Sequence, residues 1–204
     1  MRTVPLFQLN KKAFILAVIS AAYPSLGLCA AAAKVEFVSG NVQALGTDGH
    51  ERGLTKGAEI NPGDTIQTVD GRAQLRFSDG GYISLQPNTQ FRVDEYAYEG
   101  KTDGQEKSFF SLVKGGLRAI TGVVGHVNKT NYRINTPVAT IGIRGTEFLA
   151  SYDGKLLVKV GNGAVYMSNS GGDLTLFKGQ SGEVKDQNSK PGYTNEQPAV
   201  TAAG

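Results

Sequence analysis

The chain has 204 residues, 40% hydrophobic and 19% charged, with 27 glycines, no tryptophan and a single cysteine. Glycine at that level without a collagen-like period predicts many tight turns and therefore short strands, within one domain. The 21 basic and 18 acidic residues give a net +3, but Arg2, Lys11 and Lys12 supply the whole excess. Residues 34–204 are thus neutral overall and lack the basic stripe that a nucleic-acid binder needs.

Residues 1–33 read as a cleaved export signal. A positive start precedes the apolar stretch Ala13–Ala22, Pro24 breaks it, and Ala31-Ala32-Ala33 supplies the small residues of a cleavage site before Lys34. An apolar core of about ten residues is half of what a bilayer-spanning helix requires, so no stable membrane anchor is expected after cleavage. Lipid attachment at Cys29 is disfavoured because Leu28, not a small residue, precedes it. A chain beginning at Lys34 has no cysteine, and so no disulfide or thiolate site. The expected location is periplasmic or secreted.

From Lys34 the apolar residues recur with period two. Val35–Val38 and Val42–Leu45 come first; Ala73, Leu75 and Phe77 then alternate with Gln74, Arg76 and Ser78. Further strands are expected at Tyr82–Gln86, Phe91–Asp94, Phe109–Val113, Tyr132–Ile134, Glu147–Ser151, Leu156–Val160, Ala164–Met167 and Leu174–Phe177. Asp153-Gly154 and Asn162-Gly163 each read as a hairpin turn. Residues 100–105 form a polar tip, 121–131 a longer mobile loop, and 187–204 a disordered tail. The fold class is all-β: an antiparallel sandwich or a short β-roll of hairpins over residues 34–186.

In this order, Gly63–Thr68, Ala73–Phe77 with Asp79-Gly80, Ile83–Leu85, Leu112–Arg118 and Thr136–Phe148 resemble the FecR domain, as do Val160–Val165 and Lys178–Gln180. The resemblance runs from about Asn61 to Val184 and is strongest over Thr136–Phe148. It implies a periplasmic all-β module. The best-known members pair with an outer-membrane iron-siderophore receptor and carry a cytoplasmic anti-sigma segment. Only twelve residues precede the apolar stretch here, so the fold and location carry over but the sigma-regulator role does not. Within the motif, Gly63, Asp64, Asp79, Gly80, Gly116, Arg144, Gly145 and Thr146 are expected to act structurally.

Arg144, between Gly142 and Gly145, is the most tempting single residue. A guanidinium flanked by glycines could clamp a carboxylate or other anion. The preferred reading ties it to loop carbonyls and to Asp79 or Glu147, since one arginine without a second donor rarely makes a site. Asp64 and Asp79 could serve acid-base chemistry, but aspartate beside glycine is usually a turn former. His50 and His126 lie apart in polar segments, and neither Gly115-Gly116 nor Gly161-Asn162-Gly163 sits between a strand and a helix as a phosphate loop would. Asn128-Lys129-Thr130 matches a glycosylation acceptor, a pattern common by chance. No catalytic, cofactor or metal constellation emerges. The expectation is a non-enzymatic interaction module docking an envelope or outer-membrane protein. The alternative is glycan binding on Tyr82, Tyr96, Tyr98 and Tyr132.

Overall fold

The computed structural model describes residues 30–200. The export signal and Cys29 therefore lie outside the described residues as far as position 29. The chain is all-β, as its alternation predicts. The strands are β1 (Ala33–Ser39), β2 (Val42–Leu45), β3 (Glu51–Gly53), β4 (Glu59–Ile60) and β5 (Thr65–Thr68). They continue as β6 (Arg72–Phe77), β7 (Tyr82–Leu85), β8 (Thr89–Ala97), β9 (Lys107–Ile120) and β10 (Tyr132–Asn135). The last are β11 (Thr140–Asp153), β12 (Lys155–Asn169), β13 (Gly172–Phe177), β14 (Ser181–Val184) and β15 (Gly192–Tyr193).

These strands hydrogen-bond as one continuous network rather than as two separate sheets. Three long strands make the continuity possible. The first half of β9 pairs with β8 and β10, and its second half with β7 and β11. In the same way β11 leaves β10 to join β9, and β12 is shared between β13 and β14. Period-two burial places Ala73, Leu75, Phe77, Ile83 and Leu85 on the inside, in one core with Phe91, Phe110, Leu117, Ile141, Phe148 and Val165. At its centre the Phe110 ring lies 5.1, 5.4 and 5.6 Å from those of Phe77, Phe91 and Tyr132.

Five expectations need correction. Asn162-Gly163 is not a hairpin turn: β12 runs straight through it. The dipeptide forms a bulge opposite Gly145 and Thr146, where the pairing slips from Arg144↔Ala164 to Glu147↔Asn162. Gly145 and Gly163 both adopt positive φ there (59° and 74°), and a Cβ on Gly163 would sit 2.2 Å from the Gly145 carbonyl oxygen. Turns and bulges demand the same backbone, so the dipeptide alone does not distinguish them. Asp153-Gly154 is a true hairpin turn between β11 and β12.

The network is also not wholly antiparallel, for β10 runs parallel to β9. The segment 121–131, expected to be mobile, makes this possible. It contains a short helix, α1 (Val123–Val127), and a 3-10 turn (Lys129–Asn131) that carry the chain back to the start of β9. Buried Val124 anchors the helix, and the Asp79 carboxylate accepts its amide.

Residues 187–200, expected to be disordered, are held against the domain. Their polarity offers little apolar burial, and hydrogen bonds take its place. The Asp186 carboxylate accepts the Asn188 and Ser189 amides, and the Asn169 side chain donates to the Val138 and Ser189 carbonyls. β15 pairs with β14, and Pro191 and Pro198 are buried.

The expected cleavage after Ala33 cuts into this fold. Ala32 and Ala33 are both buried, the Ala32 amide donates to Ile60 O at 2.8 Å, and its carbonyl accepts from Ser78 N at 3.1 Å.

Candidate functional site

Most of the residues singled out in the sequence hold backbone in place. Asp64 is buried, accepts the Asn61 amide at 2.8 Å and pairs with Arg52 at 2.5 Å, beside the Gly63 turn. Asp79 accepts the Gly81 amide at 3.0 Å around the Gly80 turn. Thr89 bridges both the amide and the carbonyl of Gly116. Thr121 does the same for Thr146, across the bulge that Gly145 permits. Asp64 and Asp79 stand in different parts of the fold, each bonded to amides, and do not face one another as an acid-base pair would. His50 sits exposed against Asp48, while His126 lies under Gly145. Among the described residues no group of three or more His, Cys, Asp or Glu side chains could hold a metal.

The tyrosines considered for sugar stacking do not form one exposed face. Tyr132 is buried against Phe110, and Tyr96 packs on Phe77 while its hydroxyl accepts the Asp79 amide at 2.9 Å. Burial, reinforced by the Asp79 charge, raises both phenols well above the ordinary tyrosine range.

Arg144 differs from the other motif residues. It is the last residue of β11 before the bulge, it is exposed, and neither expected acid reaches it. Glu147 instead accepts two hydrogen bonds from Arg118, at 2.6 and 3.0 Å, and Asp79 serves the amides above. Arg144 makes no ion pair among the described residues.

It borders an open trough of about 760 Å³ on the outer face of β10 to β13. One row of residues crosses five strands in register: Phe109, Arg133, Gly142, Tyr166 and Thr175. Neighbouring strands lie about 4.8 Å apart, so Arg133 and Tyr166 stand roughly 10 Å apart across Gly142. Gly142 has no side chain to fill that gap and forms the floor. The Arg133 guanidinium lies 3.8 Å from the Phe109 ring centroid, a cation–π contact, and makes no ion pair among the described residues. Lys129 and Arg144 add two further cations, and Tyr166, 42% exposed, forms an aromatic wall. No carboxylate lines the trough. Asp173, in the row of Thr140 and Ser168, lies beyond it.

Of the trough's cations only Arg144 was singled out in the sequence. Arg133 comes from β10 and Lys129 from the turn before it, and pairing of β10 with β11 brings them alongside.

The structure thus presents an all-β domain whose motif aspartates hold turns and whose outer face carries an open cationic trough. The FecR protein family matches residues 64–166, half of the chain, and the chain belongs to that family. Two crystal structures of a putative anti-sigma factor from Parabacteroides distasonis ATCC 8503, at 1.65 and 2.50 Å resolution, share the fold. Their TM-scores are 0.52 and 0.51, each at 18% identity. Both alignments cover 66% of this chain and 60% of the other, so the chain spans three fifths of that protein's length. No curated protein matches the chain.

Proposed function

We propose that this protein is an exported, non-enzymatic interaction module of the bacterial envelope. It docks another envelope protein in sensing or signalling and uses the trough over Gly142 as its docking face. The carrying observation is the trough itself: three cations without acidic partners, and an exposed aromatic wall, on a sheet face left open among the described residues. Membership of the FecR family and the fold shared with an anti-sigma factor candidate support a signalling role. The export-signal pattern in the sequence ahead of the fold supports the envelope location, and among the described residues no helix is long and apolar enough to cross a membrane.

In-cell crosslinking of a tagged, exported protein tests this reading, with the captured species identified by mass spectrometry. One dominant envelope protein is the expected product. Recovery of the protein alone, or only with cell-wall polymer, would overturn it.

A further inference from the structure

The docking reading leaves the chemistry of the partner open. From the trough's composition we infer that its occupant is an acidic, extended segment of a partner polypeptide. The carboxylates of that segment meet Lys129, Arg133 and Arg144, and one of its apolar side chains enters the space above Gly142 against Tyr166. This inference rests on the docking reading and deepens it.

Gly142 carries the first part of the argument. It lies inside β11 without a positive φ, and a Cβ there would meet nothing closer than 3.8 Å. The fold does not demand glycine at this position, and mid-strand glycine weakens a sheet. Gly71, just before β6, is the contrast: its Cβ would lie 2.3 Å from the backbone oxygen of Ser39, so packing requires it. What the missing side chain at 142 preserves is space, a floor open to a ligand between Arg133 and Tyr166.

Charge carries the second part. Where this chain's cations stand beside carboxylates they pair with them, as Arg52–Asp64, Arg118–Glu147 and Lys107–Glu95 show, whereas the trough gathers three cations and no carboxylate in its lining. The three cations around the trough have none, so its complement is anionic. Arg133 is exposed and rests on the Phe109 ring, and a guanidinium carries the paired N–H donors that can bind a carboxylate bidentately.

The rest of the lining selects a polypeptide among anions. Residues 34–204 are neutral overall, so a polyanion captured by bulk field is not the match. Hydroxyls of Thr130, Ser168 and Thr175 beside an aromatic wall suit a chain that alternates charged and apolar side chains.

The probe is a short fluorescein-labelled peptide of alternating glutamate and leucine, with a glutamine-for-glutamate version, a lysine-for-glutamate version and a heparin fragment as comparators. Anisotropy should show the glutamate peptide binding at least about tenfold tighter than the other three, with affinity falling as salt rises. Arg133→Gln and Arg144→Gln should each weaken it by about tenfold, and Gly142→Leu should abolish it. Circular dichroism of each variant checks that the fold is retained, and the two arginine changes lie on the exposed face. Equal affinity for the glutamine peptide, no binding, or preference for heparin would overturn the inference. If the glutamate peptide fails while crosslinking from the trough still captures one envelope protein, docking stands and the acidic chemistry falls.

Discussion

Replacing Gly142 with alanine removes the flexibility of a mid-strand glycine without creating a clash, because the new Cβ meets Tyr166 backbone and side-chain atoms at 3.8 to 4.0 Å. Those are ordinary contact distances, so the change should stabilise the protein by about 0.5–1 kcal/mol. At this chain length that raises the melting temperature by roughly 1–4 °C. Gly71→Ala is the matched control. Its Cβ falls 2.3 Å from Ser39 O and 2.9 Å from Asn41 N, both backbone atoms, and overpacking of that kind costs about 1–3 kcal/mol. Thermal and urea unfolding of the two variants measures both signs. A Gly142→Ala variant destabilised by more than about 1 kcal/mol would mean that the fold needs the glycine, and the argument for a ligand floor would collapse.

Phe110 touches three aromatic rings and is 1% exposed, so Phe110→Ala should cost about 3–5 kcal/mol, read as a urea midpoint shift at constant slope. A loss no larger than that of exposed Phe177→Ala would refute this account of the core. Because the folded chain holds Tyr96 and Tyr132 protonated beyond their ordinary range, the stability they contribute is complete below about pH 10. It then declines as pH rises, by at most about 1.4 kcal/mol per pH unit for each phenol. Tyr132→Phe should flatten that alkaline decline in urea titrations; an unchanged slope would contradict it. Mass spectrometry of the exported protein should place its N-terminus ahead of Ala32, since Ala32 and Ala33 are part of the buried fold. A mature chain beginning at Lys34 would contradict that boundary.

Local periodicity made much of the sheet legible. Ala73, Leu75 and Phe77 alternate in sequence and are buried together in β6. Asp153-Gly154 turns where its chemistry says it should. Asn162-Gly163 has the same chemistry and yet forms a bulge, because the deciding partner, Gly145, lies on another strand. The parallel β9–β10 pair was equally hidden, since nothing local shows that α1 returns the chain to the start of β9. Residues 187–200 illustrate the converse: polar composition suggested no order, while side-chain hydrogen bonds from Asn169 and Asp186 supply it. Of the trough, Arg144 stood out through its flanking glycines. Arg133 and Lys129 did not, because their part depends on register across β10 and β11, and Gly142 matters through the side chain it lacks.

The most direct test of the docking face is position-resolved. A photo-reactive residue replaces either Tyr166 in the trough or exposed Lys56, in the turn between β3 and β4 at the other end of the strand order, and the exported protein is then irradiated in cells. The account predicts one dominant envelope protein captured from position 166 alone, and its loss when Gly142→Leu fills the floor. Equal capture from both positions, or capture from 166 undiminished by Gly142→Leu, would contradict it.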